Sequence, residues 1–124
     1  MDITPAVPQG RQTISGYGNG GFKINNIFVE GSLLVFPEQS LKWDVSSLES
    51  LTAESLAPIF AANPAVEILL IGTGKNMTFI DAGLRQEIRA RGIALDVLDT
   101  GAACRTYNVL MSEERRVAAA IIAV

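Results

Sequence analysis

The sequence predicts a mixed α/β domain whose antiparallel, β-rich first half is followed by a β-α-β-α-β second half. Short β-prone runs separated by turn dipeptides fill the chain up to Val45. A continuous apolar run at 66–72 is typical of a strand buried on both faces. Beyond it, Ile80, Leu84 and Ile88 recur at the spacing of one helix face. The spacing of apolar residues changes from strand-like to helix-like between the two halves, and this change marks the boundary.

Residues 1–11 are predicted to form a flexible tail and residues 12–124 a single globular domain. The tail contains two prolines and lacks the apolar stretch of a secretory signal. The 124-residue chain is 48% hydrophobic and 19% charged, which is a globular composition. A domain of this size buries about two-thirds of the surface of its unfolded chain, so it needs neither a metal nor a disulfide to fold.

The first half is predicted to be an antiparallel meander. Its β-prone runs lie at 22–24, 27–29, 33–36 and 41–45. Asn25-Asn26, between the first two runs, is a two-residue hairpin signal. The stretch 16–21 matches G-x-G-x-x-G, but β-like sequence follows where a dinucleotide-binding motif requires a helix, so a turn between strands is favoured.

The second half alternates helices and strands. The first predicted helix, 53–62, is capped by Thr52. The second begins after Thr78 and Asp81, which have the spacing of a capping box, and ends at Gly92. A strand at 93–98, a helix at 101–111 and a strand at 116–123 follow. Both crossovers are long enough to join parallel strands. A β-rich half followed by an α/β half predicts helices gathered on one side of the sheet system.

The carboxyl ends of the strands at 66–71 and 93–98 are predicted to share one sheet edge, where open α/β sheets bind ligands. The loop after the first strand, 72–75, resembles half a phosphate-binding loop (P-loop), but Leu69 and Asn76 stand where a P-loop NTPase needs glycine and Ser or Thr, so no NTPase is supported. A simple turn is the favoured interpretation, and an anion-binding loop at the helix N-terminus is the alternative. The residues of that alternative are Gly72, Thr73, Gly74, Lys75, Asp99, Thr100, Arg105 and Asn108, with Arg105 and Asn108 expected to face outward.

Composition removes several classes of function. The net charge of −3 argues against a nucleic-acid binder. The absence of histidine removes Ser-His-Asp and Cys-His catalysis and the common zinc sites. The longest apolar run, 117–124, is far short of the roughly 20 residues of a membrane-spanning helix. We therefore expect no cofactor, no metal and a cytoplasmic location.

Cys104, the single cysteine, lies four residues after Thr100, which could cap a helix, and directly before Arg105. A helix N-terminus beside an arginine can activate a thiol. Helical spacing, however, places Cys104 on an apolar arc with Ala103, Tyr107 and Met111, where burial raises the thiol pKa. Without a histidine base, a structural cysteine is favoured and a thiol enzyme is the least favoured alternative.

The segment 67–124 resembles a known family of small domains. The resemblance rests on EILLIGTGK and LDVLDTGAACRTYNVLMSEERRVAAAII, which meet the pattern Thr-x-x-Ala-x-Arg-Thr-Tyr-Asn-x-Leu at Thr100, Ala103, Arg105, Thr106, Tyr107, Asn108 and Leu110. Upstream, GFKINNIFVEGSLLVFP resembles the family's N-terminal hairpin region. The family includes the mitochondrial NADH:ubiquinone oxidoreductase (complex I) assembly factor 3 proteins and an adipogenesis-associated protein.

The resemblance implies a three-layer β/β/α fold without an established enzymatic activity. For the mitochondrial branch it implies a role, with a second assembly factor, in building a membrane respiratory complex. No targeting presequence is seen, so the chain resembles a bacterial-type member. The first hypothesis is a non-catalytic interaction module for such assembly, whose partner is an assembly factor or a subunit of the complex; the second is a small-anion-binding domain. Association with further copies of the chain stays open.

Overall fold

The computed structural model describes residues 10–124, so the predicted tail at 1–11 lies almost entirely outside the described residues. Arg11 already contacts the domain, since its guanidinium donates to the Met111 carbonyl. The strands are β1 (Ile14–Gly18), β2 (Gly21–Ile24), β3 (Ile27–Glu30), β4 (Leu33–Val35), β5 (Ser40–Lys42), β6 (Ile68–Gly72), β7 (Ala94–Leu98) and β8 (Val117–Ile121). The helices are α1 (Ala57–Phe60), α2 (Ala82–Ala90) and α3 (Thr100–Ser112), with 3₁₀ turns at Leu48–Ser50 and Glu54–Leu56.

The first three strands form an antiparallel sheet in the order β1-β2-β3. Asn19-Gly20 and Asn25-Asn26 make its two-residue turns, with φ of 54° and 78° in the first and 51° and 68° in the second. Positive φ at both central residues suits the right-handed twist of a hairpin, and Asn and Gly adopt it most readily. The predicted hairpin at Asn25-Asn26 and the predicted turn within 16–21 are both confirmed.

The other five strands form a mixed sheet in the order β5-β4-β8-β6-β7. The strand β6 runs parallel to both of its neighbours, β7 and the central strand β8, and β4 runs antiparallel to β8 and β5. From β6 the chain moves one place to β7, then crosses back past β6 to β8. Because such crossovers are right-handed, two crossovers in opposite directions place their helices on opposite faces.

The prediction that the helices gather on one side of the sheet is therefore wrong. Leu84 and Ile88 of α2 pack with Leu69 and Ile71 on one face of β6. The other face, where Leu70 points, is covered by α3. Strand order decides which face each helix covers, and the sequence pattern alone does not contain it.

The three-stranded sheet shares the α3 face of the five-stranded sheet, and this gives the two-sheet β/β/α arrangement that the resemblance implied. The core of that side joins side chains of both sheets and of α3: Ile14, Phe22, Ile24, Val29, Leu33, Val35, Leu70, Ala103, Cys104, Tyr107, Met111, Val117, Ala119 and Ile121. The mixed α/β class predicted from the sequence is confirmed.

Two helix predictions differ in their boundaries. The region predicted as one helix at 53–62 holds only a 3₁₀ turn and the single turn of α1, whose first turn contains Pro58. Proline has no N–H to continue a helix, so it suits only a helix start. The second helix begins at Ala82 and is capped by Asp81, which accepts from the Leu84 N–H at 3.1 Å. The capping box at Thr78 is thus wrong, whereas the terminal Gly92 is confirmed by its φ of 79°.

Candidate functional site

The backbone of the loop after β6 meets the start of α3 at the carboxyl edge of the five-stranded sheet. The Thr73 N–H donates to the Leu98 carbonyl at 2.9 Å, and the Thr100 N–H donates to the Gly74 carbonyl at 2.8 Å. The loop after β6 and the start of α3 therefore lie side by side. This convergence follows from the parallel pairing of β6 and β7 that the sequence predicted.

Thr100 is the centre of that junction and is fully buried. Its hydroxyl accepts from the Gly74 N–H at 2.9 Å and donates to the Ile122 carbonyl at 2.7 Å. A Cβ added at Gly72 would lie 3.0 Å from the Thr100 Cα, so glycine allows this close approach. The Thr100 side chain thus occupies the space between the ends of β6 and β8.

Asp99, not Thr100, caps α3. Its carboxylate Oδ1 accepts from the Ala102 N–H at 2.9 Å, and Thr100 is the first helical residue. A carboxylate at a helix N-terminus also interacts favourably with the helix dipole. Two N–H groups that an anion could have used, those of Gly74 and Ala102, are therefore bonded within the protein. Anion binding at this edge stays a prediction.

The loop from Thr73 to Asp81 is tied down at its base and exposes its middle. The Thr73 hydroxyl donates to the Asn76 carbonyl at 2.8 Å and accepts from the Thr78 N–H at 3.1 Å. Lys75 is exposed. Met77 and Phe79 keep 48% and 78% of their surface accessible. The result is an apolar projection on a braced loop.

Arg105 faces outward, as predicted, and lies close to β1. Its Nη1 donates to the Tyr17 hydroxyl at 3.1 Å. Tyr17 is 47% exposed and lies against the first turn of α3, where a Cβ added at Gly101 would be only 2.5 Å from its hydroxyl oxygen. We call the group Tyr17, Lys75, Met77, Phe79 and Arg105 the carboxyl-edge surface.

Asn108 does not face outward with Arg105, and that prediction is wrong. Its side-chain Oδ1 accepts from the Ile14 N–H at 2.9 Å, and its Nδ2 donates to the Ile14 carbonyl at 2.8 Å. The side chain thereby pairs with β1 as a neighbouring strand would. Tyr107, one residue earlier, is buried and donates its hydroxyl to the Gln12 carbonyl at 2.8 Å. Burial raises the pKa of Tyr107, so it stays a phenol at neutral pH.

Cys104 is 2% exposed on the packing face of α3. Burial raises the pKa of its thiol to about 12, outweighing the lowering effect of Arg105. At neutral pH the sulfur is therefore a thiol, which is a weak nucleophile. Within residues 10–124, no group of three or more His, Cys, Asp or Glu side chains is placed to hold a metal ion.

The exposed residues of the carboxyl-edge surface were only partly foreseen. Phe79 lay inside a predicted capping box, and Tyr17 lay in a motif interpreted only as a turn. Phe79 is exposed because α2 begins only after its cap, Asp81, which leaves Phe79 in the preceding loop. No helix in the described residues is long and apolar enough to cross a membrane.

A family model described as a protein of unknown function (DUF498/DUF598) matches residues 14–122. The chain is 40% identical over 109 residues to NADH dehydrogenase [ubiquinone] 1 alpha subcomplex assembly factor 3 from Danio rerio, covering 88% of this chain and 63% of that protein. The chain thus spans less than two-thirds of the length of this curated relative.

Bacterial relatives match over more of their length. An uncharacterised protein of Rhodobacter capsulatus is 34% identical, with 91% of this chain and 86% of that protein covered. A crystal structure described as an outer membrane protein from Bartonella henselae superposes with a TM-score of 0.85 at 36% identity, covering 93% of this chain and 97% of that one. The chain therefore belongs to the DUF498/DUF598 family, whose members include NADH dehydrogenase assembly factor 3 proteins and bacterial proteins.

Proposed function

We propose that this domain is a non-catalytic interaction module that binds a protein partner during assembly of a membrane-associated, respiratory-type complex. The observation that carries the proposal is the exposure of Phe79 and Met77 on a loop that Thr73 and Thr100 brace. The similarity to assembly factor 3 proteins supports the assembly role. The expected cytoplasmic location is part of this proposal.

The composition of the carboxyl-edge surface suits a protein partner. Aromatic residues, methionine and arginine are enriched at protein interfaces, and tyrosine and arginine are frequent hot spots. Lys75, on the same loop as Met77 and Phe79, is exposed and adds positive charge, and Arg105 on α3 is a second exposed cation. The complementary partner is a protein with an apolar pocket rimmed by acidic residues, and it is an assembly factor or a subunit of the complex.

The bracing of the loop lowers the entropic cost of binding. Ordering a mobile loop at an interface costs free energy, which reduces affinity. Here the backbone on both sides of Met77 is already bonded through the Thr73 hydroxyl. The burial of Cys104 and the absence of histidine support a role without catalysis.

A photo-crosslinking amino acid placed at Phe79 tests the proposal in cells of the native host. We expect a crosslink to a subunit or assembly factor of a respiratory complex, and its loss when Met77→Ser is added. Val109, also exposed but near the other end of α3, provides the matched control. Equal crosslinking from Val109, or none from Phe79 above background, would count against the proposal.

The second candidate is a small anion bound by Lys75 and Arg105. It is favoured by the contact of the loop that carries Lys75 with the first turn of α3, where the helix dipole is positive, and by the charge of Arg105 in the second turn. The exposed Lys75 ammonium supports it. The Gly74 and Ala102 N–H groups are already bonded within the protein. An anion would therefore be held mainly by the charges of the Lys75 and Arg105 side chains.

A further inference from the structure

The sulfur-containing side chains of the described residues differ sharply in their exposure to solvent. Met77, on the loop between β6 and α2, keeps 48% of its surface accessible, whereas Met111 and Cys104 on α3 keep 5% and 2%. Met1, the remaining methionine, lies outside the described residues. Within residues 10–124, a small oxidant dissolved in water therefore reaches Met77 far more readily than the other two side chains.

The two buried sulfurs are protected by their contacts as well as by their burial. The Arg11 Nη2 donates to the Met111 sulfur at 3.2 Å, which engages one of its lone pairs. Burial raises the pKa of the Cys104 thiol to about 12, so little of the readily oxidised thiolate forms. Both side chains belong to the core between α3 and the two sheets, where a polar oxidised sulfur would disrupt packing.

Met77, in contrast, can change its polarity without disturbing the fold. Its side chain belongs to neither of the two apolar cores that residues 10–124 form. The loop backbone on both sides of it is held by the Thr73 hydroxyl, which donates to the Asn76 carbonyl and accepts from the Thr78 N–H. These bonds do not involve the sulfur, so the loop keeps its position when the sulfur is modified.

We propose that oxidation of the Met77 sulfur by hydrogen peroxide weakens partner binding at the carboxyl-edge surface and so regulates it. The proposal rests on the proposed function, because the regulated contact is the one that Met77 and Phe79 make with the partner. A sulfur lone pair attacks one peroxide oxygen, and the O–O bond breaks as the S–O bond forms. The departing hydroxide takes the proton of the new S–OH group and leaves as water. The sulfur is thereby oxidised by two electrons, and the peroxide is reduced.

The sulfoxide weakens binding because it replaces an apolar contact with a polar group. Burying a polar group without a hydrogen-bond partner is unfavourable, and at an interface it should lower affinity about 5- to 150-fold. Methionine sulfoxide reductases reverse the change, with one enzyme for each of the two sulfoxide epimers. The same chain can therefore bind, release and bind again without unfolding.

Limited treatment of the purified chain with hydrogen peroxide, followed by peptide mass spectrometry, tests the selectivity. We expect Met77 to be oxidised at least about 10-fold faster than Met111, because exposure governs the rate. The melting temperature should stay within about 2 °C of the untreated value, as for other changes at exposed positions. Equal rates at the two methionines, or unfolding that accompanies oxidation of Met77, would overturn the proposal.

Photo-crosslinking from Phe79 tests the effect on binding. The purified chain is oxidised, cleared of peroxide with catalase and added to an extract of the native host. We expect the respiratory-complex crosslink to be lost and to return after treatment with both sulfoxide reductases. Met77→Leu is the matched control, since it stays apolar, retains Met1 and Met111, and should keep the crosslink after the same treatment. Met77→Gln, polar and uncharged, should lose the crosslink without peroxide.

The outcomes separate this proposal from the proposed function. An undiminished crosslink from the oxidised chain, or an equal loss in Met77→Leu, would overturn the regulation by Met77 and leave the interaction module standing. No crosslink from the untreated chain would instead refute the interaction module, and the regulation with it.

Discussion

Asn108 holds the backbone of Ile14 with both ends of its amide, accepting from the N–H at 2.9 Å and donating to the carbonyl at 2.8 Å. An amide side chain can do this because it carries a donor and an acceptor side by side, as a peptide group does. The contact closes the free edge of β1 and attaches the three-stranded sheet to α3. Its loss has a predictable cost.

Asn108→Ala should lower the free energy of unfolding by about 1–3 kcal/mol, since it leaves the Ile14 N–H and carbonyl without partners. Asn108→Asp keeps the acceptor and loses the donor, so it should also destabilise. Val109→Ala, at the neighbouring exposed position, should change stability by no more than about 0.5 kcal/mol. Urea denaturation measures all three, and equal stabilities of the two alanine variants would contradict the structural role of Asn108.

Thr100→Val should destabilise the fold by about 1–3 kcal/mol, because it keeps the shape and removes the buried hydroxyl that bonds Gly74 and Ile122. Thr100→Ser retains the hydroxyl and should lose less. Comparing the melting temperatures of the valine and serine variants separates the contribution of the hydrogen bonds from that of side-chain packing. If the valine variant proved as stable as the serine variant, the hydroxyl would not be what joins the loop, α3 and β8.

Cys104 should resist iodoacetamide in the native protein at neutral pH and react after unfolding, because burial raises the pKa of its thiol to about 12. The folded state favours the neutral thiol, so this contribution to stability is complete below pH 9.0, the ordinary thiol pKa, and is lost as pH rises toward 12. Stability should therefore fall more steeply over that range in wild type than in Cys104→Ala. Rapid alkylation of the native protein at pH 7 would disprove the burial argument.

Pyrophosphate should raise the melting temperature only if the second candidate function is correct. In that case the shift should disappear in Lys75→Ala/Arg105→Ala and persist in Lys23→Ala, an exposed lysine on β2. Differential scanning fluorimetry across pyrophosphate concentrations measures it. No shift, or the same shift in all variants, would reject the anion site.

The sequence predicted most of the second half because its signals are local. Continuous apolar runs, the glycine at 92 and helical spacing identify β6, α2, β7 and α3 to within a few residues. The first half was predicted less completely, since β1 contains Gly16 and Gly18 in place of alternating apolar residues. Proline at 58 shortened a helix whose apolar pattern suggested ten residues.

The candidate site was harder to predict because it depends on tertiary contacts. Parallel pairing correctly brought the loop after β6 to the start of α3. Helical spacing indicated that Asn108 lies off the apolar arc, but not that β1 would run beside it. Thr100 looked like a cap, and only the position of Ile122 at the end of β8 makes it a junction.

The core between the three-stranded sheet and α3 has a consequence for synthesis of the chain. The strands β1 to β3 pair with close neighbours in sequence, whereas the helix that covers Phe22, Ile24 and Val29 begins at Thr100. Because the chain is made from its N-terminus, these strands leave the ribosome well before their covering helix. Their apolar face must wait uncovered until α3 emerges, and contacts as distant as Ile14 with Asn108 slow the final docking step. The nascent chain is therefore most prone to aggregation in the interval after β1 to β3 have left the ribosome and before α3 has emerged.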